Sequence, residues 1–272
     1  MPILSLSNQK GGVGKTASAV IIAAELAGRG YRTLLIDGDP QANATSMFIP
    51  ADEVEHSLID AIFEMGSTKS IPLEEAIVST QIKNLDLVPS NISLARFESI
   101  GVEHLPILRK KLTAVKDRYD FILIDNPPTL GKLLLVSLMA SDYTLVPVSA
   151  NPMGTDGLTD LIESHQNMRD LGSRAEILGM FTTLFDTRIA ICGASHEQLK
   201  KKYAELVFDT IIHRNSKIEE SPAFMKPVQA HAPQSRGAKL YSALTDEILL
   251  RLEMPLTRDE GEVLESRVEV GS

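Results

Sequence analysis

Lys10-Gly11-Gly12-Val13-Gly14-Lys15-Thr16 follows directly on an apolar run that begins at Pro2. The spacing is that of a phosphate-binding loop with one added cation, Lys10, beside its first glycine. Such a loop aims backbone N–H groups inward, and glycine lets the chain fold that closely around an anion. A helix must begin at once, so that its N-terminus faces the phosphates. A lysine serves the β- and γ-phosphates and a hydroxyl serves Mg²⁺, roles that Lys15 and Thr16 fill. Residues Lys10 to Ala17 therefore form the expected nucleotide cradle. The chain departs from the strict G-x-x-x-x-G-K-[ST] pattern, because Gln9 stands where the first glycine belongs; what remains is the deviant form K-G-G-x-G-K-T. A glycine-rich turn with incidental lysines is the bland alternative, and the flanks oppose it. Ile3-Leu4-Ser5-Leu6-Ser7 reads as a buried strand, and Ala17 to Arg29 as a helix that ends at Gly30.

Outward from that unit, strand-like runs alternate with helical patterns. Strands are expected at Arg32 to Asp37, Leu85 to Pro89, Asp120 to Asp125, Tyr143 to Ser149, Ile177 to Phe185 and Leu206 to His213. Helices are expected over Ser57 to Met65, Leu105 to Arg118, Gly131 to Ala140, Thr155 to Leu171, Ala194 to Glu205 and Gly237 to Leu252. Near-continuous apolar strands between helices predict an α/β fold: a mostly parallel, twisted sheet covered by helices on both faces. At 272 residues the chain suits a single domain over residues 1–252, followed by an acidic, loosely ordered tail over 253–272.

Composition narrows the function classes. The lone cysteine, Cys192, excludes an intramolecular disulfide and any cysteine-based zinc or iron–sulfur site completed within one chain. No stretch has the length or apolarity of a membrane span, and no signal peptide is evident, so the expected compartment is the cytoplasm. The net charge of −9 argues against nucleic acid until its distribution is considered. Arg188 to Leu240 carries nine Lys/Arg against five Asp/Glu, a local +4 that leaves −13 for the rest. The asymmetry predicts one basic face on an acidic body. A solvated helix side is the competing account of Lys200, Lys201 and Lys202.

Open α/β sheets bind ligands at the carboxyl ends of their strands. That edge would gather the phosphate loop, Asp37-Gly38-Asp39 and Asp125. Asp125 closes the apolar run Phe121-Ile122-Leu123-Ile124, the position of a Mg²⁺ partner in phosphate-loop enzymes. Of the paired carboxylates, Asp37 is assigned to the metal shell. Asp39 is assigned to the attacking water, which it would orient or deprotonate. Helix capping is the alternative for each.

Lys10 to Thr16, Asp37 to Thr45 (DGDPQANAT) and Ile122 to Pro128 (ILIDNPP) together resemble the ParA/Soj branch of the ParA–MinD ATPases. Thr183 to Arg188 (TLFDTR), Ile212 to Pro222 (IHRNSKIEESP) and Pro233 to Leu244 (PQSRGAKLYSAL) resemble further segments of that branch, so the similarity runs from about residue 2 to about residue 250. The resemblance implies an ATP- and Mg²⁺-dependent homodimer in which Lys10 reaches the partner's phosphates and, with Lys15 and Asp39, serves slow hydrolysis. It further implies sequence-independent DNA binding in the ATP state, release on hydrolysis stimulated by a ParB-like partner, and a role in segregating or positioning cargo on the nucleoid. Arg188, Arg214 and Arg236 match family motif positions for DNA; Lys200, Lys201, Lys202, Lys217 and Lys239 join them on charge alone. His213 and Asn215 occupy a loop that lies near the adenine in relatives, although His213 replaces the usual proline and Ala17 a common threonine. The nearest alternative is a MinD-like membrane-associated ATPase, which would need a basic amphipathic C-terminal helix where this chain has an acidic segment, Arg258 to Ser272.

Overall fold

From the N-terminus the chain folds as β1 (Ile3–Leu6), α1 (Lys15–Gly28), β2 (Thr33–Asp37), α2 (Leu58–Ile62), β3 (Val78–Ser79), β4 (Leu85–Val88) and α3 (Ile107–Leu112). It continues with β5 (Phe121–Asp125), α4 (Lys132–Ala140), β6 (Tyr143–Ser149), α5 (Leu158–Asp170), β7 (Glu176–Thr183) and α6 (Ala190–Tyr203). The short helices α7 (Ser216–Glu220) and α8 (Val228–His231) precede α9 (Arg236–Arg251). The computed structural model describes residues 1–64, 69–151 and 158–258.

The strands form one sheet in the order β3-β4-β2-β5-β1-β6-β7, parallel throughout except for the β3–β4 edge pair. Burial on both faces explains the continuous apolar runs: β2 and β5 are buried at every position. Alternate residues along each strand face opposite sides. Ile36, Ile122 and Ile124 pack with α2, α3, α4 and α5. Leu4, Leu6, Leu35 and Leu123 pack with α1, α8 and α9. The expected mostly parallel sheet with helices on both faces is the fold observed.

Four local expectations change. Leu206 to His213 is not a strand: it runs beside β7 with only isolated bridges, Met180 to Val207 and Phe185 to His213. The N–H groups of Asp209 and Thr210 bond instead to the Glu247 carboxylate, both at 2.8 Å, which interrupts the ladder. The helix expected through Arg118 is regular only to Leu112, after which hydrogen bonds of the three-residue type carry the chain through Val115 to Arg118. The edge strand Val78–Ser79, two residues long, carries no readable pattern. Residues 253–258, assigned to the tail, pack on the body: the Arg258 N–H bonds to the Arg29 carbonyl at 2.9 Å, and the Tyr31 hydroxyl bonds to the Pro255 carbonyl. Residues 259–272, like 155–157 of the expected fifth helix, lie outside the described residues. Among the described residues, no helix is long and apolar enough to cross a membrane.

Candidate nucleotide site

The loop after β1 turns into α1 through Gly12 and Gly14, at φ +70° and +85°, a left-handed conformation that glycine adopts without steric penalty. No side chain caps the N-terminus of α1 and no acidic residue occupies its first turn, so its N–H groups and dipole face outward to an anion. Three neighbouring strands hold the loop in place. The Thr183 hydroxyl at the end of β7 donates to the Val13 carbonyl at 2.8 Å. Asn8 donates to the Pro147 carbonyl of β6 at 2.7 Å and accepts the Lys10 N–H at 2.9 Å. Asn126, directly after β5, donates to the Leu6 carbonyl and to the Ser7 hydroxyl.

The two lysines of the loop are placed differently. Lys15 is 6% exposed and its ammonium donates to the Lys10 carbonyl at 3.0 Å. Burial lowers its pKa, while the charges of Asp125 and Asp39 act in the opposite direction and hold the cation in the site. The Lys10 ammonium instead turns to the far wall of the loop and donates to Asn151 at 3.0 Å.

Asp125 and Asp37 are adjacent in the β5–β2 register, and both are fully buried. Burial, then the neighbouring Asp37 charge, raises the Asp125 pKa well above the carboxylate range. Both Asp125 oxygens are buried without a hydrogen bond of normal geometry, although the Thr16 hydroxyl and the Lys15 charge favour its ionised form. An orphaned buried carboxylate beside a hydroxyl and a phosphate loop fits a divalent cation. Among the described residues no cluster of three or more His, Cys, Asp or Glu residues could hold a metal. The remaining ligands would then be phosphate oxygens and water, the usual arrangement for Mg²⁺.

Asp37, expected in the metal shell, has both carboxylate oxygens engaged in hydrogen bonds. Its Oδ2 accepts both the N–H and the hydroxyl of Thr45 at 2.7 Å, and its Oδ1 accepts the Asp39 N–H at 3.1 Å. Those bonds work against burial, which still pushes its pKa up to about 6. Asp37 organises the loop that presents Asp39. Gly38 between them is required, because a Cβ there would stand 2.6 Å from the Asp125 carbonyl. Asp39 is 6% exposed at the same strand edge, with its Oδ1 fixed by the Gln41 N–H at 2.9 Å.

His213 and Asn215 reach that edge at the end of the segment beside β7. The His213 ring meets Phe185 edge-on at 5.1 Å, and burial followed by the Arg236 charge lowers its pKa. Asn215 caps α7 by accepting the Lys217 N–H at 2.9 Å. Thr183 and Asn126 were not singled out by the sequence; only their position directly at strand ends could have signalled them.

The predicted single basic face separates into two. Arg188, Arg214 and Arg236 lie past the carboxyl end of β7, where Asp186 pairs with Arg188 at 2.7 Å and feels the charge of Arg214. Lys200, Lys201 and Lys202 end α6, whose 14 residues carry them about 20 Å toward the opposite sheet end. Lys200 pairs with Asp209 and Lys217 with Glu220. Lys201, Lys202 and Lys239 are exposed.

The family described as an AAA domain matches residues 1–177. The sporulation initiation inhibitor protein Soj of Bacillus subtilis is 37% identical over 254 residues, covering 90% of this chain and 97% of Soj. The chromosome partitioning protein ParA of Myxococcus xanthus is 34% identical, covering 92% and 88% of the two chains. Among solved structures, cobyrinic acid a,c-diamide synthase from Mycobacterium smegmatis, with bound ATP analogue and magnesium, superposes with a TM-score of 0.79 at 26% identity, covering 95% of this chain and all of that one. The deviant phosphate loop, the strand-end aspartates and these matches together make the chain a member of the ParA/Soj family of the ParA–MinD ATPases.

Proposed function

We propose that this protein is an ATP-driven dimerisation switch that binds DNA without sequence preference and segregates or positions cargo on the nucleoid. The observation that carries the reading is the divergent placement of Lys15 and Lys10. Lys15 points into the cradle, against Asp125 and Asp39. Lys10 lies across the loop from it, on Asn151. A cation outside the cradle of its own chain is suited to reach the phosphates of a second copy, where it would stabilise charge on the transferred phosphoryl group.

In this reading ATP lies along Lys10 to Ala17, with His213 and Asn215 toward the base. Thr16 and Asp125 hold Mg²⁺, which supplies charge neutralisation at the β- and γ-phosphates. Asp39 aligns the attacking water and accepts its proton; its carboxylate is oriented by the Gln41 N–H and its loop is held by Asp37. Hydrolysis is slow until an adaptor of the ParB kind engages. The arginine group at Arg188, Arg214 and Arg236, with Lys217 and Lys239 nearby in sequence, meets DNA phosphates, and dimerisation doubles that contact.

A mobility-shift assay on random-sequence duplex tests the switch. ATP should support binding and ADP should not; equal binding with either nucleotide would sink the reading.

A further inference from the structure

Away from the phosphate loop, a cleft of about 320 Å³ opens between α2 and the helical turns of Ile92–Ser99. Neither the phosphate loop nor Asp37, Asp39 or Asp125 lines it. One wall is apolar: Ile59 is buried, and Phe63 and Ile71 are half-buried against the core. The rim is cationic, with His56, Lys69 and Arg96 exposed around the opening. We propose that this cleft is a second nucleotide site, which holds a nucleoside phosphate with its phosphate on Lys69 and Arg96 and its base against Phe63.

Charge and shape together select the ligand. Neither His56, Lys69 nor Arg96 forms an ion pair with a described residue. In a chain with 36 acidic and 27 basic residues, unneutralised cations on one cleft mark a preference for an anion. The planar fork of Arg96 and the point charge of Lys69 both suit phosphate oxygens, and the His56 ring can add a donor. A bare anion would leave the apolar wall in water, and a neutral aromatic would leave the cations unused. A flat base joined to a phosphate satisfies both sides, and a base gains by stacking on an aromatic ring.

The acid in the lining, Asp60, is already engaged. Its Oδ2 accepts the Ser57 N–H at 2.8 Å and the Ser57 hydroxyl at 2.9 Å, which leaves Oδ1 to accept an N–H from the base edge. The walls are held to each other before any ligand arrives. Asn91 donates to the Ser57 hydroxyl at 2.8 Å and accepts the Ser93 N–H at 2.9 Å. The Leu58 N–H bonds to the Pro89 carbonyl at 2.8 Å, and the Ile71 N–H to the Asp60 carbonyl at 3.0 Å. A cleft with its backbone fixed in this way spends little binding energy on ordering itself.

The test titrates guanosine monophosphate into the full-length protein with its phosphate loop saturated by ADP and Mg²⁺. Guanosine and inorganic phosphate are the controls. Amide shifts should cluster at Ile59, Asp60, Phe63, Ile71 and Ser93, and each control should bind about tenfold or more weaker than the nucleotide. Lys69→Gln with Arg96→Gln alters exposed side chains only, and should weaken the nucleotide by about tenfold or more while basal ATP hydrolysis and the melting temperature are retained. Phe63→Leu keeps the wall apolar but removes the ring; it should weaken the nucleotide and leave inorganic phosphate unchanged. Shifts centred on the phosphate loop, inorganic phosphate binding as well as the nucleotide, or unchanged affinity in the double variant would overturn the assignment. So would a Phe63→Leu protein that binds the nucleotide normally. None of these outcomes bears on the ATP-over-ADP preference in DNA binding, which tests the switch reading separately.

Discussion

The two ends of the central sheet carry opposite electrostatic arrangements. At the amino end the charged groups are matched. Asp120 accepts from Arg32 at 2.9 Å and also contacts Arg258. Arg29 bonds to Glu25, Asp246 and the Ser242 carbonyl. At the carboxyl end, buried polar atoms of Gln9, Asp125, Asn126 and Ser149 have no partner among the described residues. A buried polar atom without a hydrogen bond costs about 1–3 kcal/mol, so a cluster of them at one edge needs a reason other than stability. The amino end holds the fold together, and the carboxyl end is organised for a charged ligand.

The comparison is broken most severely at Asp125. Asp125→Asn should lower ATP hydrolysis by about 10²-fold or more, because the orphaned carboxylate beside Thr16 is removed. The same change should raise the melting temperature of the nucleotide-free protein by roughly 2–4 °C, since replacing a buried carboxyl group that lacks a hydrogen-bond partner with an amide, which never ionises, returns about 1 kcal/mol. A lower melting temperature would show that the carboxylate is a structural partner after all. Next in size, Lys10→Ala should abolish the ATP-dependent dimer in sedimentation while leaving nucleotide binding by the monomer; a dimer that persists would remove the cross-subunit role. Asp39→Ala should bind ATP and DNA but hydrolyse too slowly to release, seen as a DNA complex that outlasts an ADP chase.

At the matched end the effect should fall on stability alone. Asp120→Ala should cost about 2–3 kcal/mol, because two arginines lose their acceptor, with basal hydrolysis retained. The pH dependence has a definite sign there. Burial pushes the Asp120 pKa up, but the hydrogen bonds from Arg32 and Arg258 outweigh it and hold it below the ordinary carboxylate value. Its contribution is present above the unfolded-state pKa and is lost as pH falls through the folded-state value. Urea midpoints should therefore fall between pH 5 and pH 3 by more in wild type than in Asp120→Asn. The smallest effect is expected from Lys200, Lys201 and Lys202 changed together to Glu. Carried away from Arg188 along α6, they should weaken DNA binding only several-fold, against a larger loss for Arg214→Glu with Arg236→Glu. The reverse order would move the DNA face to the end of α6.

The legible parts of the site were those written in contiguous residues. Gly12, Gly14, Lys15 and Thr16 carry their geometry locally, and Asp125 closes a strand whose apolar run is unmistakable. The illegible parts depend on distant partners. Glu247 captures two N–H groups of the 206–213 segment and so removes a strand that its composition supports. Thr183 clamps Val13 across 170 positions of sequence, a pairing that no local pattern records. The sequence assigned Asp37 to the metal shell; that its carboxylate is tied by the Thr45 hydroxyl and N–H, eight residues on, was not readable from the two-residue spacing.

By itself the sequence determined a parallel α/β sheet with a phosphate loop after its first strand and aspartates at two strand ends. Those features follow from side-chain periodicity and backbone freedom within short windows. Tertiary structure decided which carboxylate is orphaned and which is tied, where Lys10 points, and that one basic segment becomes two surfaces at opposite ends of α6. Those outcomes depend on the burial and hydrogen bonding of groups far apart in the chain, and only the folded sheet brings them to the same edge.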